Sequence, residues 1–444
     1  MVLRKIIRSS SFKLKKRLNY AVVIENLTKS NFFRIGFILT AVSLFTGALG
    51  YIYQILIGRM LSSAEFGLFS AIFSLVAILS SPMGAITLVI SKLISSLSAR
   101  NDIYKLQQIG KKISLYIVFA CILFVFIVYF FTDTILKHLN SNNVYLVWLF
   151  TGLVISSALS SLNAAFLQGL QKFKSYVGLG LLWASLRIVS AILLLEIFDL
   201  GVGGAIAGAL SSQLFVWLLG FLIIFRNCYC QQLNLKRYDS KVSDESPTKF
   251  RDIFAIISAT SAFVVMSQLD VILANIFFSP ILASQYAAAA ILGKAILYIP
   301  GGLVFALFPM VVNNDVNRIS SRHLMKQAIA ITCALCLPLC IIYFFFGVNI
   351  INFFYGEKYP LAGELLSYFG FAILPMALIM VLEHFLLAKG RILFTLVFVV
   401  LVPIEIGIIY CSHQSLYSLI SAVFIVGFLA FLIGIIVLYR ENNL

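Results

Sequence analysis

Charged side chains are scarce in this sequence. They make up 11% of the 444 residues, with only 17 Asp and Glu and four His. A soluble domain carries about 25% charged residues, so too few charges are present here to coat a soluble globule of this length. Hydrophobic residues account for 61% of the chain. The composition therefore excludes a soluble protein and predicts an integral membrane protein.

Motifs of catalysis and of cofactor binding are also lacking. The sequence has no nucleophile–base–acid set, no metal-ligand spacing and no phosphate-binding glycine loop. The net charge of +16 would suggest a nucleic-acid partner in a soluble protein. Here the basic residues lie in connections between apolar runs, as in cytoplasmic loops of membrane proteins. We therefore expect no enzyme activity, no cofactor or metal, and no binding of nucleic acid.

Twelve apolar runs are long enough to cross a membrane. A spanning helix needs about 20 apolar residues, whereas barrel strands have about ten residues in alternation. The predicted spans are 35–57, 66–94, 113–132, 144–168, 176–197, 201–225, 252–278, 283–312, 324–347, 361–388, 392–411 and 415–438. The sequence thus predicts an all-α polytopic membrane protein with twelve transmembrane helices.

The distribution of Lys and Arg predicts the orientation. With the N-terminus inside, 28 basic residues fall in inner segments, and three fall in outer connections: Arg59, Lys137 and Lys358. Cytoplasmic segments carry the excess of Lys and Arg in membrane proteins. Both termini are therefore predicted to be cytosolic.

The chain carries an internal duplication. Residues 61–72, "LSSAEFGLFSAI", align with residues 281–292, "ILASQYAAAAIL", and "FLQGLQK" from Phe166 aligns with "FLLAKGR" from Phe385, at offsets of 220 and 219 residues. Each repeat has an even number of spans, so the two six-helix lobes are expected to be parallel repeats with a substrate path between them.

The duplication and the polar segments divide the chain into four parts. A basic tail over 1–34 is followed by a first lobe over 35–225, a charged linker over 226–251 and a second lobe over 252–444. The tail lacks a long apolar core with a cleavage site and is expected to be cytosolic. The linker contains Ser and Pro and is expected to be a flexible tether.

Proline and glycine recur at matching places in the two repeats. Pro82 lies in the second span, and Pro300, Gly301 and Gly302 lie in the eighth, at an offset of 218 residues between the prolines. Proline removes a helix hydrogen bond and kinks the helix. These residues are predicted to be hinges for lobe movement, or static kinks that serve packing.

Four charged residues lie well inside the predicted spans. Arg187 and Lys294 lie at middle depth in the fifth and eighth spans, and Asp270 and Glu405 lie in the outer halves of the seventh and eleventh. A charge at the centre of a membrane helix costs at least ~2.5 kcal/mol, so such residues are functional candidates by default. The two basic groups predict a central cavity that holds an anion.

Two further interpretations of these charges stay open. Asp270 and Lys294 lie on neighbouring helices and can form an internal ion pair. Alternatively, Asp270 or Glu405 carries a coupling proton or sodium ion. Arg187 has no carboxylate at its depth on an adjacent helix, which makes it the strongest candidate for substrate contact.

Charges near the ends of the spans are weaker candidates. Arg59 and Glu65 fall in the outer turn between the first two spans, where charges are expected to be solvated, with Arg59 as a candidate for the mouth of the path. Glu383 and His384 lie near the inner end of the tenth span. The pair could shuttle protons, but we expect it to reach toward the headgroups.

Several of these segments resemble a known family. "LIGRMLSSAEFGLFSAI", residues 56–72, resembles the first-loop signature of polysaccharide-export flippases. "FFYGEKYPLAGELLSYFGFAILPMAL", residues 353–378, resembles their Phe-Gly-x-x-Tyr element before the tenth helix, and "FLQGLQKFK" and "FLLAKGRI" are similar to the Gly-basic ends of their fourth and tenth helices. The resemblance is to O-antigen and exopolysaccharide flippases of the multidrug, oligosaccharidyl-lipid and polysaccharide exporter superfamily.

This resemblance implies a two-lobed transporter of the MATE type in the cytoplasmic (inner) membrane. Its expected substrate is a polyprenyl-pyrophosphate-linked oligosaccharide, translocated by alternating access with an ion gradient as the driving force. A monomer is expected, with a polysaccharide polymerase and glycosyltransferases as candidate partners beside the lipid bilayer. Arg187, Lys294 and Arg59 would then bind the pyrophosphate, and Asp270 and Glu405 would be coupling or counter-ion residues.

Two other functions compete with the flippase. A cation or drug antiporter of the same superfamily needs an acidic site, but the first half has no carboxylate at middle depth, and Arg187 would repel a cation. A membrane-embedded scaffold without transport would leave the buried charges paired and inert.

Overall fold

The fold is all-helical across the part of the chain that the structure describes. This structure is a computed structural model, and it describes residues 31–99, 103–139, 141–226, 250–301, 303–304, 307, 311, 321–389 and 395–441. The expected tail over 1–34 and linker over 226–251 fall almost wholly outside these residues.

The described residues form twelve α-helices. They are α1 Asn31–Met60, α2 Ser63–Ala99, α3 Ile103–His138, α4 Val144–Gly169, α5 Phe173–Ile192, α6 Gly201–Phe225, α7 Phe250–Phe277, α8 Pro280–Gly293, α9 Arg322–Tyr355, α10 Pro360–Ala388, α11 Thr395–Ser412 and α12 Leu416–Glu441. Ten helical stretches of the described residues are long and apolar enough to span a membrane; one of them, Pro280–Gly301, is α8 together with the residues that follow it. Residues 397–412 form a shorter apolar helix. The chain is a multi-pass membrane protein.

The eighth predicted span, 283–312, is not one regular helix. The α8 helix ends at Gly293, a 3-10 turn covers Lys294–Leu297, and the helix resumes at Tyr298. Residues 280–301 are nevertheless long and apolar enough to cross a membrane as one span, and the change of pitch lies inside it. A continuous apolar run shows where a helix crosses the membrane, but it does not reveal a local change of helical pitch.

The helices form two lobes that repeat one architecture. In the first lobe α4 packs against α2 and α6, and in the second lobe α10 packs against α8 and α12 in the corresponding positions. The α10 helix is the most enclosed element, because 72% of its most apolar window is buried. Each lobe therefore has a central fourth helix, as two parallel repeats require.

The lobes meet mainly along α2, which packs against α7 and α8 of the second lobe. At this interface the Ser74 hydroxyl donates to Oε1 of Gln268 at 3.1 Å. Gly67 allows a close approach, because a Cβ there would stand 3.1 Å from the carbonyl oxygen of Pro280 and 3.2 Å from the amide nitrogen of Ser284. The signature-like segment 56–72 thus contributes to the contact between lobes.

Candidate functional site

A cavity of about 580 Å³ opens inside the first lobe. It lies among α1, α4, α5 and α6. Its lining residues on α4 and α6 lie in the second halves of these helices, those on α5 lie from its start to Arg187, and those on α1 lie around the middle of that helix. Aromatic rings, amides and hydroxyls dominate its polar lining: Thr46, Tyr51, Gln54, Ser157, Ser160, Ser161, Asn163, Tyr176, Trp183, Arg187, Gln213, Trp217 and Tyr298. Tyr298 is the only one of its described lining residues that belongs to the second lobe.

Arg187 is the only charged side chain among the described residues that line this cavity. It lies on α5 with 8% of its surface exposed. Its guanidinium carbon stands 4.3 Å from the ring centre of Tyr53 and 4.5 Å from that of Trp183, which lies one helical turn earlier. The attraction of a cation to aromatic ring faces holds the guanidinium in place, while its edge stays available to a ligand.

The Arg187 side chain has neither an ion-pair nor a hydrogen-bond partner among the residues that the structure describes, and its Nε is buried. A guanidinium cannot be deprotonated in proteins, so its charge persists. Two other lining atoms, Nε1 of Trp183 and Oγ of Ser160, are also buried without a partner. Buried polar groups are normally hydrogen-bonded, so these three groups leave hydrogen-bonding capacity unused at the cavity, within the described part of the chain.

Tyr53 links this site to the framework of the lobe. Its hydroxyl donates to the carbonyl oxygen of Ala205 on α6 at 3.0 Å, and the side chain is 1% exposed. Its ring also packs against Phe69 and Phe73 of α2. The ring under Arg187 is therefore fixed by three helices.

Lys294 lies in a different environment, the core of the second lobe. Its amine donates to Oδ1 of Asp270 at 2.7 Å, and the hydroxyl of Tyr286 donates to Oδ2 of the same carboxylate at 2.9 Å. Lys294 does not line the cavity of Arg187, so the structure does not bring the two basic groups into one site. It instead shows the internal ion pair that the sequence left open.

Glu405 adds a second carboxyl group to this cluster. It is 1% exposed, it interacts electrostatically with Asp270 and Lys294, and its Oε2 is buried without a hydrogen-bond partner among the described residues. The core of the second lobe therefore holds two carboxyl groups near one ammonium group, which is paired with Asp270.

Glu383 departs from the sequence expectation. It is 1% exposed in the packed core around α10, and its Oε1 is buried without a partner in the described part of the chain. The expectation that it reaches toward the headgroups was wrong. Its neighbour His384 places Nδ1 2.9 Å from the carbonyl oxygen of Met380. The α10 helix is buried on nearly every side, so a position near its end is still enclosed.

The predicted hinge residues fall in two different settings. Pro82 lies inside α2, which continues through it from Ser63 to Ala99. Pro300 and Gly301 follow the 3-10 turn at Lys294–Leu297 within three or four residues. Gly302 lies outside the described residues. A change in helical pitch therefore accompanies the proline of the second repeat, near its predicted hinge.

Arg59 reaches across to the second lobe. Its Nε and Nη2 donate to the backbone carbonyls of Phe354 and Phe353 at the end of α9. In return the amine of Lys358 donates to the carbonyl of Leu61, beyond the end of α1. Helix C-termini attract cations because their last carbonyls lack partners. We call residues 58–61 and 353–359 the latch.

Aromatic side chains and one glycine complete the latch. The hydroxyl of Tyr359 donates to the carbonyl of Gly58 at 2.8 Å, and Phe66 packs against the rings of Tyr355 and Tyr359. A Cβ at Gly58 would stand 2.5 Å from the Tyr355 ring, so glycine is needed there. Burial lowers the pKa of the Lys358 amine. The latch joins the lobes at the end opposite the cavity.

The carboxylate of Glu65 accepts its hydrogen bonds from Ser62, three residues earlier, and none from a latch residue in the described structure. Its Oε2 accepts hydrogen bonds from the amide and hydroxyl of Ser62, at 3.0 and 2.6 Å. Its Oε1 lies close to Gly201, where α6 begins, and a carboxylate is favourable at such a helix N-terminus. The two charges of the turn thus have separate partners.

Replacing both Arg59 and Lys358 by alanine is expected to separate the lobes at the latch. Hydrogen bonds to charged groups contribute about 1.5–3 kcal/mol each, and partial exposure favours the lower value. We therefore expect at least a tenfold rise in the labelling rate of a cysteine at Ser74, a buried position at the lobe interface, by an impermeant maleimide. The seven native cysteines are replaced first.

The matched control for the latch is Lys137→Ala, which removes an exposed basic residue at the end of α3. This control should label as slowly as the parent protein. Equal labelling of the parent and the Arg59→Ala/Lys358→Ala variant, with both proteins folded, would show that the latch does not hold the lobes together.

Sequence reasoning missed the aromatic residues of the site. Trp183 was detectable, because "WASLR" places it four residues before Arg187 on the same helix face. Tyr53 and Tyr298 gave no such signal, since they reach the site from helices distant in the sequence.

Solved structures share this architecture. The chain resembles an inward-facing multidrug resistance MATE family transporter of the MOP superfamily (TM-score 0.69, 15% identity, covering 90% of this chain and 94% of that one). It also resembles the lipid II flippase MurJ in an inward closed conformation (0.65, 16%, 91% and 87%) and a mutant of the Vibrio cholerae MATE transporter VcmN (0.62, 12%, 92% and 97%). The search of curated proteins gave no match.

These likenesses show the class of fold, which this chain shares with solved MATE and MurJ transporters. The family follows from the sequence itself. Residues 33–315 match the model of the polysaccharide biosynthesis protein family, and the chain belongs to that family.

Proposed function

We propose that the protein translocates a polyprenyl-pyrophosphate-linked oligosaccharide across the cytoplasmic membrane by alternating access. The observation that carries this proposal is the buried Arg187, which has no carboxylate partner among the described residues and faces a cavity. A guanidinium fork suits the paired oxygens of a phosphate. Membership of the polysaccharide biosynthesis protein family supports the same class of substrate.

The rest of the lining suits the sugar of such a substrate. Aromatic rings offer apolar faces, as at Trp183 and Trp217, and amides such as Gln54 and Gln213 offer donors and acceptors. Ligand sites typically combine aromatic surface with a few polar groups that fix orientation. An acidic lining would be needed to attract a cationic drug, and Arg187 opposes it.

The direction of access follows from the latch and the cavity. The latch closes the end that the charge distribution places outside, while the cavity extends from Arg187 toward Tyr176 and Trp217, near the predicted cytosolic ends of α5 and α6. We propose that this arrangement is the state that loads substrate from the cytosolic leaflet. Opening of the latch would then release it on the other side.

Ion coupling is proposed for the cluster in the second lobe. One ammonium group, Lys294, balances only one of the carboxyl groups of Asp270 and Glu405. A second unpaired carboxylate would be costly in a dry core, so a proton or a small cation completes the balance. Exchange of that ion would drive the lobes between their two states. The proposed transporter acts as a monomer beside the polymerase and glycosyltransferases of its pathway.

Reconstitution into proteoliposomes tests the function. Lipid-linked repeat units extracted from the strain of origin are incorporated, and their appearance on the opposite leaflet is measured with an impermeant sugar-modifying enzyme. We expect translocation that needs the protein and responds to a pH or sodium gradient. Transport of ethidium without movement of the lipid-linked sugar would instead identify a drug antiporter, and neither activity would indicate a scaffold.

A further inference from the structure

Tyr298 is the residue through which the second lobe reaches the cavity of the first. Its ring stands edge-on to that of Tyr51, with ring centres 5.1 Å apart. Its Cε1 would lie 3.1 Å from a Cβ at Gly47, so its edge rests directly on the α1 backbone. The side chain is 51% exposed and interacts electrostatically with Arg187. A phenol hydroxyl at this place can donate to the same anion that Arg187 binds.

The helical pitch of the backbone just before Tyr298 determines where this side chain lies. The 3-10 turn at Lys294–Leu297 immediately precedes it. A 3-10 helix advances about 120° and 2.0 Å per residue, whereas an α-helix advances about 100° and 1.5 Å. Rewinding the four residues as α-helix would turn the following segment by about 80° and draw it back by about 2 Å. Either the rotation or the shift would break the contacts of the Tyr298 ring with Tyr51 and Gly47.

The ion pair sits at the first residue of this turn. Lys294 begins the 3-10 segment and donates to Asp270 on α7 at 2.7 Å. The turn is also held at its third residue, because Ile296 is fully buried in the core. The pitch of the segment is therefore set where the charge cluster anchors Lys294, one helical turn from the side chain that touches the cavity.

We propose that Tyr298 is a substrate-positioning residue supplied by the second lobe, and that the Asp270–Lys294 pair holds it in place through the 3-10 turn. This proposal rests on the proposed function, because it assigns Tyr298 to the anion that Arg187 binds. It adds a physical link between the charge cluster of Asp270, Lys294 and Glu405 in the second lobe and the ligand cavity in the first. A change at the cluster would then alter affinity without any contact with the ligand.

Farnesyl pyrophosphate, a prenyl pyrophosphate without sugar, is the probe. Its binding to purified protein is followed by tryptophan fluorescence, since Trp183 and Trp217 line the cavity, and Trp148 is replaced by Phe to remove the third signal. We expect Tyr298→Ala to weaken binding about tenfold and Tyr298→Phe to weaken it less, because Phe keeps the ring contact. Tyr439→Ala, at an exposed position on α12, should bind as the parent does.

The link itself is tested with double-mutant cycles. Two changes should each weaken binding several-fold. Gly47→Ala, in the first lobe, adds a methyl group that pushes against the Tyr298 ring. Asp270→Asn/Lys294→Met removes the ion pair in the second lobe. Both effects should vanish in a Tyr298→Ala background. Thr332→Ala, at a buried residue bonded within its own helix, is the control for the second lobe.

The outcomes separate this inference from the proposed function. If Arg187→Ala abolishes binding while the Tyr298 variants bind normally, the positioning role is overturned and the proposed function stands. If Tyr298→Ala weakens binding but the cycles show simple additivity, the link through the turn is overturned. If the parent protein does not bind the pyrophosphate at all, the assignment of the Arg187 cavity fails, and the role of Tyr298 fails with it.

Discussion

Replacement of Arg187 by methionine is expected to abolish polysaccharide export while leaving the protein folded. Truncating one member of a buried charge pair costs about 2–5 kcal/mol, or roughly 30-fold or more in affinity, in complexes where both charges are desolvated. The bound pyrophosphate would lose its only cationic partner among the described cavity residues. Arg187→Lys keeps the charge but loses the planar fork and its stacking, so we expect partial export.

The same substitution should have the opposite effect on stability. Arg187 is 8% exposed and has no carboxylate partner in the described structure, so its charge is a cost in the ligand-free protein. The methionine side chain keeps much of the apolar stem between Tyr53 and Trp183. We therefore expect an equal or higher Tm together with lost function.

Surface polysaccharide, protein level and Tm are the measurements. Lys172→Ala provides the control, since it removes an exposed basic residue just before the same helix. Normal export with Arg187→Met at normal protein level would remove the basis of the proposed site. A fall in Tm together with loss of protein would instead show that Arg187 is a structural residue.

The Asp270–Lys294 pair should show a large and asymmetric effect on stability. Breaking a buried pair by removing one partner costs about 3–5 kcal/mol, because an uncompensated charge is left behind. Lys294→Met would leave Asp270 facing Glu405, two carboxyl groups without a cation, whereas Asp270→Asn leaves Glu405 as a partner for Lys294. We therefore expect Lys294→Met to lower Tm more than Asp270→Asn.

The combined Asp270→Asn/Lys294→Met variant should recover much of the loss seen with Lys294→Met, because it removes one of the two carboxyl groups together with the ammonium group. Thermal unfolding in detergent measures all three variants against Asp133→Asn, an exposed acidic residue on α3. Single variants as stable as the parent would show that the pair contributes little to the fold. A combined variant that is stable but inactive in transport would support a role in coupling.

The number of helices and the two lobes were predictable, because bilayer thickness constrains the first and the internal duplication indicates the second. The depth of Arg187 followed from its place in an apolar run. The pairing of Asp270 with Lys294 stayed one of two open interpretations, because helices that are apolar on every side give no signal of which face meets which neighbour. Position along the membrane normal is therefore readable in such a sequence, whereas rotation about the helix axis is not.

The partners of Arg59 and Tyr298 were hidden for two further reasons. Arg59 donates to carbonyls 294 and 295 residues away, and a sequence predicts no particular side-chain partner for a main-chain acceptor. Tyr298 follows a 3-10 turn, which shifts its direction relative to the α-helical count used to assign faces. Both residues act between lobes, where neither local periodicity nor the internal repeat carries information.

Most hydrogen bonds of the latch depend little on which residue types supply the acceptors. Its acceptors are main-chain oxygens, which every residue type supplies, so Phe353, Phe354 and Leu61 can vary without loss of the hydrogen bonds. The charged hydrogen bonds need only a long basic side chain on each lobe, whereas glycine at 58 and the aromatic contacts of Tyr355 and Tyr359 are specific to their residue types. Closure of this end can therefore persist through extensive divergence of the residues around it.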